Sequence, residues 1–304
     1  MIQYLVGTGG WSYFSIPGKQ SLEAYSRNFN YVEVNSTFYR YPTIRTVERW
    51  HQMVPGDFVF TVRCHQDLTH IIGFKPVDMA YVVLSRMISF CRTLEAPFLH
   101  LLTPGSYIFD KSALEQARDF FSSIHLKGIR LAWEVKGPRT PSLDVLMQDF
   151  DIVNSVDLSK EESVGESDVV YTRLFGKGRS NIYQFTDEEL VEIDQRIIKA
   201  KAKTAIVAYH GTRMNSDALR FKGFKELGKF LPVTAFTGLE SAKAVLLEDA
   251  KFPLTKTQLI KNQGWKVFDL ETDRRIHLSD LLSKLPERIY YSVNEVIEEL
   301  EAFE

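Results

Sequence analysis

The chain has 304 residues, 44% hydrophobic and 25% charged, which is room for one large domain plus a small one with an ordinary globular balance. A formal net charge of −2 argues against wholesale electrostatic capture by nucleic acid or an anionic membrane and leaves only local basic patches. The opening MIQYLVGTGGW lacks the basic start and apolar run of a secretory leader, and no stretch approaches the ~20 apolar residues of a membrane span; a cytoplasmic protein with no membrane partner is expected.

Short β-rich runs alternate with longer helical patterns up to about residue 230. The strands are expected at 2–6, 31–34, 58–63, 98–102, 129–135, 152–156, 169–174 and 205–209, with helices among them at 21–29, 77–94, 112–124, 187–200 and 216–230. The second of these helices opens beside Pro76, and Ser112 precedes Glu115 in a capping-box pattern. Strands alternating with helices imply a parallel sheet covered on both faces. Eight repeats in this length suit an α/β fold of the (β/α)₈, TIM-like barrel type, spanning 1–232. An open doubly wound sheet is the alternative, and GTGGW without a following G-x-G-x-x-G helix counts against it. After Leu231-Pro232 the pattern changes. Thr255–Gln258 and Ser292–Glu295 read as helix starts, and 265–270 and 275–278 flank a turn at Glu271-Thr272-Asp273. A small C-terminal α+β domain at 250–304 is expected, too short to stand without support.

Side chains alternate along a strand, so parity separates those facing the barrel interior from those facing the helices. Glu33 and Asn35 lie opposite Val32 and Val34; Thr61, Arg63 and His65 lie opposite Phe60, Val62 and Cys64. Ala132, Glu134 and Lys136 lie opposite Leu131, Trp133 and Val135; Tyr171 and Arg173 lie opposite Val170, Thr172 and Leu174. Four strands thus bring a charge inward near their C-terminal ends, where barrel active sites sit. Such charges either satisfy one another as a buried ion-pair network or converge on an anionic ligand, with a carboxylate as acid or base. The loop Phe175-Gly176-Lys177-Gly178-Arg179-Ser180-Asn181 is glycine-rich and basic, as phosphate loops after late strands often are.

His65, His70 and His210 fall at or just beyond strand ends, but none belongs to a metal-binding motif such as H-E-x-x-H. Neighbouring arginines would repel a divalent ion. No metal ligands are assigned, a divalent cation is not favoured, and the cofactor stays open. Cys64 and Cys91 sit among apolar neighbours and read as small buried hydrophobes.

GTGGW at 7–11, VEVNSTFYR at 32–40 and FTVRCHQDLTH at 60–70 resemble the signature segments of the YecE-like family. Further echoes are LAWEVKG at 131–137, VVYTRLFGKG at 169–178, FTDEEL at 185–190 and NSDAL at 215–219, in order across about residues 5–220. The resemblance implies a TIM-like barrel and no established activity. The chain is a divergent member on this reading. Gly9 replaces the serine of GTSGW, Phe175 replaces a histidine after the seventh strand, and His210-Gly211 stands where many members carry paired asparagines. Arg63 replaces a lysine often found on the third strand, which keeps charge but makes a poor base. The C-terminal stretch is similar to another small, uncharacterised helical family.

The leading expectation is an enzyme, a hydrolase or nuclease acting on a phosphoester or phosphodiester. Arg63, Arg173, Lys177 and Arg179 would hold the anion, with Trp11, Asn35, Thr37 and His70 as further substrate contacts. Glu33, Glu134 or His210 would move the proton, His210 standing in for the family histidine. The substrate would be a small phosphorylated molecule or a nucleic acid. The alternative is a non-catalytic barrel that recognises a nucleotide or nucleic acid while the C-terminal domain contacts another protein. A sugar-phosphate isomerase or lyase would need a metal or a well-placed base.

Overall fold

In the computed structural model, which describes residues 2–14, 20–162 and 167–302, eight strands close into a barrel in chain order. They are β1 Gln3–Thr8, β2 Tyr31–Val34, β3 Val59–Arg63, β4 Phe98–Thr103, β5 Arg130–Val135, β6 Val153–Val156, β7 Val169–Leu174 and β8 Thr204–Tyr209. All eight expected strands are present, with small shifts at their ends. The helices that follow them are α1 Ser21–Ser26, α2 Ile44–Gln52, α3 Asp78–Thr93, α4 Lys111–Ser122, α5 Pro141–Asp149, α6 Asp187–Lys199 and α7 Met214–Leu227. The barrel expectation holds. Among the described residues no helix is long and apolar enough to cross a membrane.

Local chemistry sets the boundaries. α4 is capped two residues before the expected serine: the Asp110 carboxylate accepts from the Ala113 N–H at 2.8 Å, so Ser112 lies inside the first turn. Pro141 opens α5, where its missing N–H costs nothing. Within β1, a Cβ on Gly7 would stand 2.0 Å from the Tyr31 carbonyl oxygen, so only glycine allows β1 and β2 to pair there.

The strand parity read from the sequence is the parity of the barrel. Leu5, Tyr31, Phe98, Ala132, Val153, Val169, Tyr171, Ile206 and Ala208 pack into one apolar cluster inside it. Trp133, of opposite parity, packs instead against Phe74, Phe109 and Phe121. Each fully buried Leu or Phe contributes about 1.5–3 kcal/mol relative to exposure.

The chain divides into two compact units, one of Met1–Arg173 with Arg196–Ala208, the other of Leu174–Gln195 with Tyr209–Glu304. Beyond α7 the second unit adds α8 Gly238–Leu247, β9 Leu254–Thr255, α9 Lys256–Gln263, β10 Val267–Glu271, β11 Arg274–His277, α10 Leu278–Leu282, β12 Ile289–Tyr290 and α11 Val293–Glu301. The expected hairpin is β10–β11, antiparallel. Thr255 with Gln258 forms a full capping box, and Ser292 caps α11. Val245, Leu246, Leu259, Phe268, Leu282, Val296 and Leu300 belong to its apolar core.

A buried polar ladder runs through this second unit. Arg220 donates to Asp217 at 3.2 Å and to Asp187 at 2.5 Å. Arg275 reaches Asp187 at 3.3 Å and Asp269 at 2.9 Å. Asp269 in turn accepts from the Val233 and Thr234 backbones. Gln184 accepts from the Val267 N–H at 2.9 Å through its side chain. The C-terminal hairpin is therefore tied to the first turn of α6 and to α7 by buried, charge-assisted bonds.

Candidate functional site

The polar centre of the first unit is built on the C-terminal ends of β2, β3, β5 and β7. Arg173 lies at its middle, 1% exposed. Its Nε donates to both Glu33 oxygens at 3.1 and 3.2 Å, and its Nη2 lies 3.0 Å from Glu33 Oε1. Nη1 turns the other way, onto Glu134 Oε2. Lys136, half-exposed, pairs with the second oxygen of Glu134. Burial alone would push the Glu134 carboxyl up, but Arg173 and Lys136 more than reverse it and hold it below the ordinary carboxylate range. Arg173 is itself raised, because Glu33 and Glu134 outweigh its desolvation.

Beneath this pair the hydroxyls form a chain. Tyr171 donates to Glu33 Oε2 at 3.0 Å, and Thr61 lies 2.8 Å from Tyr171 and 2.9 Å from Tyr31. Burial and the Glu33 charge raise the Tyr171 phenol well above its ordinary value, so it remains a donor and fixes the carboxylate from below.

Arg63 is different. It is 7% exposed, and among the described residues no carboxylate lies within ion-pairing distance of it. Nη1 donates to Asn35 Oδ1 at 2.5 Å, the guanidinium carbon stands 3.8 Å from the Phe38 ring centroid, and the buried Nε has no partner. Burial and the neighbouring Arg173 cation both pull it below its ordinary value, yet an arginine stays charged. Lys136, Arg173 and Arg63 against Glu33 and Glu134 leave one positive charge in excess, and it resides at Arg63. His70, from the π-helical turn Asp67–Ile72, meets the Phe38 ring edge-on, with centroids 5.0 Å apart. Burial and then Arg63 lower the His70 imidazole, leaving it neutral near pH 7. Thr37 spends its hydroxyl on the carbonyls of Val34 at 2.8 Å and Arg63 at 2.6 Å, which pins the turn after β2 to the end of β3. Among the described residues no three His, Cys, Asp or Glu side chains converge as metal ligands.

With this barrel and this centre in place, comparison with known proteins becomes informative. The family model "Protein of unknown function DUF72" matches residues 5–227. The chain belongs to the DUF72 family. UPF0759 protein YecE of Escherichia coli K12 is 36% identical over 61 residues, a match that spans 20% of this chain and only 22% of YecE. The YecE-like resemblance read from the motifs therefore stands. Crystal structures of DUF72 proteins from Thermotoga maritima and Enterococcus faecalis superpose with TM-scores of 0.61 and 0.56. They are 20% and 17% identical, and cover 74% and 75% of this chain and 99% and 98% of their own. At that identity the likeness is one of fold.

Trp11 meets Trp50 edge to face, with ring centroids 5.2 Å apart. Lys177, Arg179 and His210 belong to the second unit. Lys177 is paired with Glu189 at 2.9 Å, and Arg179 is exposed. His210 stacks on Phe175 with centroids 4.9 Å apart, so two of the residues that depart from the family pattern face one another. Gly176 has φ +74°, and a Cβ there would stand 2.3 Å from the Tyr183 ring.

The sequence reading overlooked His100. It is fully buried on β4, in register with Arg63 and Ala132, and stacks on Tyr171 at 5.1 Å. Its Nε2 lies 3.1 Å from Ser155 Oγ and 3.8 Å from Glu134 Oε2. Parity alone would have found it, one position inside the strand from the end where charges were sought.

Proposed function

We propose that the barrel binds the phosphate of a small phosphorylated molecule at Arg63 and hydrolyses its ester there. The observation that supports this reading is Arg63 itself: a buried cation with one N–H unpartnered, held in place by an amide and a ring rather than by a carboxylate. An anion that accepts from it completes both its charge and its hydrogen bonding. Arg173 is the weaker candidate for direct contact, since its donors are taken by Glu33 and Glu134. In this reading the two glutamates are positioning residues that hold Arg173 and Lys136 rigid, which keeps the positive field oriented without reorganisation. Glu134, depressed by its two cations, makes a poor proton acceptor at neutral pH.

His70 then takes the proton. Water attacks phosphorus, the P–O ester bond breaks, His70 accepts the water proton, and the leaving oxygen is protonated from solvent. Because His70 titrates below its ordinary value of about 6.5, the rate is expected to fall only as pH drops into that lower range.

A second reading, a barrel that binds a nucleotide without reaction, draws on the fact that both glutamates are engaged in ion pairs. Calorimetry with inorganic phosphate, together with turnover of p-nitrophenyl phosphate and its diester, separates the two. Arg63→Met is expected to weaken phosphate binding by about 10- to 100-fold. Unchanged affinity in that variant refutes the site; binding with no turnover of either ester selects the second reading.

A further inference from the structure

Trp11, the start of α1 and the helix α2 line a groove of about 840 Å³ that the chemistry above does not use. Trp11 and Trp50 form one wall as an edge-to-face pair. Arg45 and Arg49 line it from α2 at a spacing of four residues, which puts both on one helix face. Both are exposed, and among the described residues neither has a carboxylate within ion-pairing distance, Glu48 of the same wall included. Val47 is the buried residue of α2, and the two exposed arginines are not part of that buried seam.

Partly exposed indoles next to uncommitted guanidinium groups suit a ring that carries phosphate. The base stacks on the aromatic face and the guanidinium fork grips the phosphate oxygens. An acidic peptide would use the arginines but has no call on paired indoles. A neutral sugar would use the indoles but not the two cations. We propose that this groove binds a nucleotide, either free or as one unit of a single strand, with its base against Trp50 and Trp11 and its phosphate on Arg45 and Arg49. The proposal does not rest on the role given to Arg63.

Tryptophan fluorescence of the full chain, titrated with AMP and separately with a short oligoadenylate, tests it. Saturation by AMP assigns the groove to free nucleotides, and saturation by the oligonucleotide alone assigns it to single strands. In either case the Arg45→Ala/Arg49→Ala variant should bind at least about tenfold more weakly. Trp50→Leu should lose between about 5- and 150-fold. All three changed side chains line the groove, and circular dichroism checks that each variant is folded. The proposal is overturned if neither ligand alters the fluorescence or if the double arginine variant binds as wild type does.

Discussion

Arg63 and Arg173 stand side by side in the first unit with the same charge and nearly the same burial, but they answer to different neighbours. Replacing Arg173 by Met leaves the buried Glu33 and Glu134 without the cation that bridges them, and a cost of about 3–5 kcal/mol is expected in urea unfolding. Among the described residues no carboxylate is within ion-pairing distance of Arg63, so Arg63→Met should change stability by no more than about 1 kcal/mol. Equal losses in the two variants would mean that Arg63 serves the network after all. In the second unit, burial is the main reason that the Asp217 carboxyl is pushed up to about 7, against the pull of Arg220. An unfolded aspartate titrates near 3.9. Between those values the folded chain keeps a proton that the unfolded chain has lost. The stability from this group is thus full below about pH 4, declines as pH rises, and is gone above about pH 7, a change on the order of 2–4 kcal/mol. Asp217→Asn should remove that decline. The measurement is the difference between the two proteins at pH 5 and pH 8, which cancels the opposite contribution of His65 and His70, both lowered by burial. A difference that does not move with pH rules the account out.

At the scale of single elements, the strands were legible because each couples a β-branched or aromatic run to an interruption, and because a barrel repeats the unit eight times. Parity was legible for the same reason: a period of two has only two solutions, and Val32, Phe60 and Trp133 choose one. Which charge pairs with which was not legible. Arg63 and Arg173 share parity and strand end, and only the turn carrying Asn35 and Phe38 separates the lone cation from the bridging one. The α4 start was misread because Asp110 and Ser112 are both good caps, and the choice fell to the loop that delivers them. The basic loop after β7 pairs its Lys177 with Glu189 of α6. Its glycines answer to packing. Gly176→Ala combines positive φ with a collision against Tyr183, and should cost on the order of 1–3 kcal/mol, read as a lowered thermal midpoint. An unchanged midpoint would show that the loop rearranges freely.

At the scale of the whole molecule, the second unit draws residues from both sides of β8 and joins them by the ladder from Asp217 to Asp269. A chain ended at Pro232 keeps Asp187 and Arg220 but loses Arg275, and Gln184 loses its bond from Val267. Hydrogen exchange in such a chain should show lost protection across 184–195 and 209–227, with β2 to β5 still protected. Wild-type protection in both stretches would mean that the C-terminal part is dispensable to its own unit. The ladder also imposes an order in time. Asp187 and Arg275 are 88 residues apart, so at 5–20 residues per second the ribosome delivers the arginine about 4 to 18 s after its acid. Through that interval the beginning of α6 has been synthesised without its final counter-charge, and the nascent chain must wait for its own last quarter before that acid is fully matched.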